Sequence, residues 1–492
     1  MLFNSLRFFV FFPIVAALYF AIPHRFRWFL LLVASYYFYM CWRVRYAVLL
    51  VISTLIDYFA GLILTKATSR RVRLLCLVLS LGANLTLLFV FKYYNFFTHA
   101  FESVLSSCGM NVALPASAFL LPVGISFYTL QSMSYTIDVY CGRQPVERHP
   151  GIFGLYVVFF PQLVAGPIER APNLLPQLKL EHRFDYDRVT NGLKLILWGL
   201  FKKTVIADRL GMLVTPVYDN PAAFDGLILT VATVFFAFQV YCDFSGYSDI
   251  AIGTAEVFGV KLMQNFRRPF FARSIAELWQ RWHISLTSWF RDYVYIPLGG
   301  NRVPQWRWYF NVIVVFLLSG LWHGANWTFL IWGGLHGFFV LAGSVLRPLR
   351  TRLVSWIRLD RLLGTLHVLQ VLTTFSLFCL ALVFFRAKSL STAGAVLARL
   401  FHHWRVPLSI EALQRIGPKL NLQADFFVKE LALSVLFIAF LVCVQMVQER
   451  GSIRQRLARQ PVWVRFGVYS AGLWVLFLFG VFQQKEFIYF TF

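Results

Sequence analysis

Apolar residues gather in long unbroken runs, near residues 6–22, 28–42, 46–64, 74–91, 151–165, 192–206, 226–241, 308–322, 327–345, 366–385, 431–447 and 462–482. A run that is apolar all round has no face to offer water. It predicts a helix in the hydrocarbon core, where every backbone polar group must be satisfied internally. A crossing takes about 20 residues, so the length accommodates about a dozen helices with short loops. Several runs are shorter than about 17 residues and predict tilted or partly buried helices. No fixed-period repeat or low-complexity linker interrupts the pattern, and it reads as one all-α domain over residues 1–492.

Three segments break this pattern. Residues 267–302 carry Arg267, Arg268, Arg273, Glu277, Arg281, Arg291, Asp292 and Arg302 among many aromatics. A lipid-exposed helix cannot carry that load at several kcal/mol per central charge. The segment must be re-entrant, interfacial or wrapped around a water-filled cavity. Residues 122–145 and 159–171 are similarly mixed, with Pro122, Pro161 and Pro167 interrupting the runs.

Composition sharpens the class. Of the 492 residues 59% are hydrophobic and only 14% charged, where a soluble domain has roughly 25% charged. A soluble cytosolic enzyme is thereby excluded. The 46 basic residues against 22 acidic ones give a formal charge of +24. They sit in short clusters between apolar runs, as the positive-inside rule requires, and not in a nucleic-acid-binding stripe. The basic loops 347–361 and 450–465 both read as cytoplasmic, with two crossings between them, so the last helix delivers the chain's end to the outer face. The seven cysteines are scattered without a CxxC pair, which predicts packing and neither a disulfide frame nor a metal site. The first run lacks a basic leader and a small-residue cleavage site, and reads as a retained helix.

The sequence holds no P-loop, dinucleotide fingerprint, GxSxG elbow or HExxH. The sequons at Asn84 and Asn326 lie in apolar runs and are set aside. Two histidines have informative surroundings. At helical spacing Trp279, His283, Leu286 and Phe290 share one face of an amphipathic helix over 279–292, while Arg281, Ser285, Ser288 and Asp292 share another. A buried histidine satisfied by a backbone or hydroxyl partner and a functional intramembrane imidazole both fit that position. His323 ends an apolar stretch, with Gly320 and Gly324 spaced for close backbone approach. An ionisable group at that depth is a functional candidate. His336 lies 13 residues on, about −140° around a continuous helix, and is left out of the site.

The segments Pro122-Val-Gly-Ile-Ser-Phe-Tyr128, Phe160-Pro-Gln-Leu-Val-Ala-Gly-Pro-Ile168 and Tyr241-Cys-Asp-Phe-Ser-Gly-Tyr-Ser-Asp249 are followed by Trp282-His-Ile-Ser-Leu286, Phe290-Arg-Asp-Tyr-Val-Tyr-Ile296 and Leu321-Trp-His-Gly-Ala325. In this order they resemble the membrane-bound O-acyltransferase (MBOAT) family, in its branch that acetylates bacterial polysaccharides of alginate, peptidoglycan or cellulose type. The likeness covers about residues 120–340. It implies an MBOAT-like helical bundle with re-entrant helices around a central funnel, in a bacterial inner (plasma) membrane. It implies that His323 is the catalytic histidine and His283 the second, intramembrane one. The ending Phe487-Ile-Tyr-Phe-Thr-Phe492 fits an interfacial aromatic anchor. It is also similar to the closing motif of a teichoic-acid D-alanylation partner protein in which a tyrosine relays the acyl group, and this makes Tyr489 a candidate relay.

The expected donor is cytoplasmic acetyl-CoA and no cofactor is held. The expected partners are the lipid bilayer and an extracytoplasmic polysaccharide transferase. Neutral imidazole, with a pKa of about 6.5, suits a general base. A phenol near 10 lies closer to a thiol near 8.5 than an aliphatic alcohol does, so an aryl ester keeps much of a thioester's transfer potential. Arg267, Arg268 and Arg281 are candidate donor-binding residues, with Asn326 and Trp327 as candidates beside His323; solvated inside-positive charge accounts for the arginines equally. A D-alanyl or other acyl transferase fed by a carrier protein remains open, as does a non-enzymatic transporter, whose broken polar helices have the same pattern.

Overall fold

The computed structural model describes all residues except 118, 165, 401–408 and 483–492. Among the described residues the chain is helical, with no strand. Among the described residues seven helices are long and apolar enough to cross a membrane, including Gly226–Val257, Trp327–Val345, Leu363–Arg386, Ala424–Glu449 and Val462–Phe479. The protein is an all-α, multi-pass membrane protein. The two basic loops flank Leu363–Arg386 and Ala424–Glu449, the two crossings expected between them. Two compact units are interleaved in sequence, one built on Met1–Ile196 with Tyr247–Gln264, the other on Leu197–Gly246 with residues from Asn265 onward.

The first unit contains the helices Leu6–Ala21, His24–Met40, Ala47–Lys66, Arg70–Leu88 and Ile125–Tyr140. Ser5 caps the first by accepting from the Phe8 N–H at 3.3 Å, and Pro23 starts the second because its fixed φ suits a helix N-terminus. Phe3, Phe8 and Phe38 pack together near the chain's start. Polar side chains inside the apolar helices are tied to one another. The Asp57 carboxylate accepts from Ser80 at 2.5 Å, Asn84 at 3.0 Å and Thr136 at 3.1 Å, which gives Asn84 an interior role. Gly124 enters Ile125–Tyr140 at φ 78°, and a Cβ there would lie 2.6 Å from the Leu163 carbonyl oxygen. Only glycine meets both demands.

In the second unit the helix Gln305–His323 turns back into Trp327–Val345. A Cβ on Gly320 would lie 2.3 Å from the Phe329 carbonyl oxygen, and one on Gly333 equally close to that of Phe316. These glycines let two backbones meet where ordinary side chains would hold them apart. Leu363–Arg386 packs beside this hairpin through Phe378 and Phe385. A wide π turn over Phe201–Ala207 leads into Asp208–Asp219.

Candidate active site

His323 is the last residue of Gln305–His323. Gly324 follows in extended conformation, and Asn326 caps the next helix by accepting from the Thr328 N–H at 3.1 Å. The tight hairpin brings Trp332 edge-on to His323, with ring centroids 4.9 Å apart. Trp322 and Phe385 complete the aromatic surroundings at 4.9 and 5.5 Å. The imidazole is buried.

His283 is reached differently from the expectation. The continuous amphipathic helix over 279–292 is interrupted: Ile275–Arg281 ends, Trp282 is extended, and Ile284–Phe290 begins after His283. His283 adopts φ 44°, ψ 52°, a left-handed conformation costly for a side chain other than glycine or asparagine. Asn265 stabilises the break, its carbonyl accepting from the Ile284 N–H at 2.9 Å and its side chain from the Ser285 hydroxyl at 2.7 Å. Arg267 N–H donates to the Arg281 carbonyl at 2.9 Å. Periodicity could not anticipate this, because the partner strand of backbone lies about twenty residues upstream.

The break sets the buried His283 ring 6.4 Å from that of His323, centroid to centroid. Phe244 and Trp322 close round it at 4.6 and 5.7 Å. The two imidazoles therefore share one aromatic enclosure, as neighbouring rings. His336 lies on the second arm of the hairpin, so the helical-wheel angle from His323 does not apply. Its ring packs on Trp279 and Trp332 at 5.0 and 4.9 Å.

Arg268 and Arg281 are engaged in ion pairs. Arg268 pairs with Glu449 at 3.0 Å and donates to the Gln448 carbonyl; Arg281 pairs with Glu277 at 2.6 Å and Glu449 at 3.6 Å. Asn326 donates to the Lys388 carbonyl at 3.2 Å, and Trp327 is exposed at its helix start. Tyr489 lies outside the described residues.

Sequence reasoning missed a buried ionic group. The π turn directs both Lys202 and Lys203 inward. The Lys203 ammonium stands 2.9 Å from Asp208 and 2.6 Å from Asp243, and Lys202 donates to Ser245 at 2.9 Å. The signal was present: paired lysines inside the run 192–206, with an acid in the Tyr241–Asp249 segment, are too costly in a membrane without partners. Arg209 pairs with buried Glu430 and donates to the Phe479 carbonyl at 2.7 Å, while Thr204 accepts from the Val481 N–H at 3.0 Å.

Two neighbouring buried imidazoles on interrupted helices fit a membrane-embedded enzyme, and the reaction class comes from the sequence relatives. Residues 152–384 match the model of MBOAT, the membrane-bound O-acyltransferase family. The chain is 38% identical to a probable alginate O-acetylase AlgI of Azotobacter vinelandii over 80% of this chain and 76% of that protein. It is 34% identical to a peptidoglycan O-acetyltransferase of Helicobacter pylori over 89% and 86%. A teichoic acid D-alanyltransferase of Streptococcus thermophilus is 30% identical over 46% and 58%. The chain belongs to the membrane-bound O-acyltransferase family, in the branch that includes these alginate and peptidoglycan O-acetylating proteins. It is an acyltransferase, and the transporter alternative is set aside.

Proposed function

We propose that this protein moves an acetyl group from cytoplasmic acetyl-CoA across the bacterial inner membrane, for O-acetylation of an extracytoplasmic polysaccharide of alginate, peptidoglycan or cellulose type. The supporting observation is the 6.4 Å juxtaposition of His283 and His323, both buried, within the segment matched to the family. His323 takes the proton of an acceptor hydroxyl as its oxygen attacks the thioester carbonyl. The new C–O bond forms, the C–S bond breaks, and the proton returns to the leaving thiolate. His283 sits against the same locus. Tyr489 is the proposed first acceptor, and an outer transferase takes the acetyl group from its aryl ester to the polymer.

Intact mass of the C-terminal peptide after incubation with acetyl-CoA tests this. The expected result is an adduct of about 42 Da on Tyr489, absent in His323→Ala. An unmodified tail with acetylated polymer still formed removes Tyr489 from the route. Absence of any transfer from acetyl-CoA overturns the donor. The similarity to a teichoic acid D-alanyltransferase favours one second reading, a donor acyl group borne on a carrier protein. Label transferred from an acyl-carrier thioester and not from acetyl-CoA decides for it.

A further inference from the structure

Between the membrane-crossing helices Trp327–Val345 and Leu363–Arg386 lies a short helix, Arg347–Trp356. The chain has just left the apolar layer at Val345 and re-enters it at Leu363, so this helix is held at the level of the bilayer surface. It nevertheless exposes large apolar side chains: Leu349 is 65% accessible, Leu353 53% and Trp356 80%. At about 100° per residue these three fall within an arc of about 60°, joined at its edge by exposed Leu346 and Ile357. Arg350 and Arg352 flank the stripe on either side, and Arg347 occupies the back. Thr351 and Ser355 bond back to carbonyls one turn earlier, at 2.9 and 3.0 Å.

An exposed stripe of this kind is costly in water. A stripe edged by arginines is the pattern of a helix lying in a membrane interface, its apolar side chains in the acyl boundary and its guanidinium groups reaching up to the headgroups. Charge decides which headgroups. Residues 347–361 hold Arg347, Arg350, Arg352, Arg358 and Arg361 against Asp360, and zwitterionic lipid offers no net charge to match them. We propose that helix Arg347–Trp356 lies in the membrane surface, with Leu349, Leu353 and Trp356 in the acyl boundary, and that Arg350 and Arg352 hold anionic phospholipid headgroups. An arginine fork suits a phosphodiester, which it can bind through two parallel N–H donors. The site lies apart from the paired imidazoles, so the proposal stands whichever acyl donor is used.

The full-length protein in nanodiscs of phosphatidylcholine, with and without phosphatidylglycerol, provides the test. Native mass spectrometry counts retained phosphatidylglycerol, and amide exchange follows residues 347–357. The wild type retains phosphatidylglycerol and protects the helix. Arg350→Gln and Arg352→Gln each weaken retention about fivefold at low salt, Arg347→Gln on the back of the helix weakens it less, and Leu349→Ser with Leu353→Ser removes the protection. Unchanged retention when Arg350 and Arg352 are both replaced by Gln overturns the lipid site. Free exchange of 347–357 in both bilayers overturns the interfacial placement. Protection that appears only on adding an acidic carrier protein assigns the surface to a protein and equally overturns the proposal.

Discussion

The Lys203 ammonium lies 2.6 Å from the Asp243 carboxylate, and the next side chain along that helix, Phe244, packs 4.6 Å from the His283 ring. A buried ion pair therefore fixes the helix that forms one wall of the paired-imidazole site. Removing the cation strands Asp208 and Asp243 in a low-dielectric interior, a change that costs about 3–5 kcal/mol. Lys203→Met should lower the unfolding temperature in detergent strongly, with activity falling in parallel. Lys203→Met combined with Asp208→Asn and Asp243→Asn should recover much of that stability. A triple variant no more stable than the single one would show that charge balance is not the cause.

His323→Ala should lower acyl transfer by a factor of about 10²–10⁴, the usual contribution of a positioned base, at temperatures where the variant remains folded. Single-turnover transfer from labelled donor is the measurement. Wild-type rates in this variant would exclude His323 from the chemistry.

His283 carries two separable burdens, an imidazole and a left-handed backbone at φ 44°. Its substitutions should split them. His283→Asn should be about 1 kcal/mol more stable than His283→Ala, because asparagine tolerates this conformation, while both lose transfer activity. Equal stability of the two would show that the backbone relaxes when the ring is removed.

Gly320→Ala places a Cβ where the Phe329 carbonyl already stands, at 2.3 Å. The hairpin must open, and Trp332 must shift from His323. A displacement near 1 Å at a reacting group costs about 10²-fold, so activity should suffer at temperatures where the protein remains folded. Leu318→Ala, on the exposed side of the same helix, serves as the control and should change little.

Glu169 supplies a pH signature in the first unit. It is buried, it accepts from Asn173 at 2.7 Å, and burial pushes its carboxyl up to about 7 from 4.5. The folded state therefore holds a proton that the unfolded chain releases. This contribution to stability is complete below about pH 4.5 and is lost as pH rises through 7. Unfolding temperature should fall between pH 5 and 8, and Glu169→Gln should flatten that slope. An unchanged slope assigns the dependence to another group.

The crossing helices were legible because each is apolar over enough residues to leave no alternative. Family motifs pointed to His323 and His283, whose rings the fold brings within 6.4 Å of each other. The local geometry of the site was not legible. Periodicity predicted one helix through His283, whereas Asn265 holds that helix open through backbone and side-chain bonds. His336 was placed on a wheel shared with His323, but Gly324 ends the first helix before Asn326 starts another. Lys202 and Lys203 were absorbed into an apolar run, since hydropathy averages over the very charges whose partners lie partly just beyond the run, at Asp208, and partly some forty residues downstream, at Asp243 and Ser245.

That same pairing constrains how the protein is made. A segment bearing two lysines enters the lipid unaided at a penalty of about 2.5–3.5 kcal/mol for each central charge. Asp208, five residues beyond Lys203, travels in the same stretch and offsets one of the two charges, while Asp243 is supplied by Gly226–Val257. The two helices therefore reach their lowest charge cost in the bilayer only when side by side, so that each is a condition for the other's residence there.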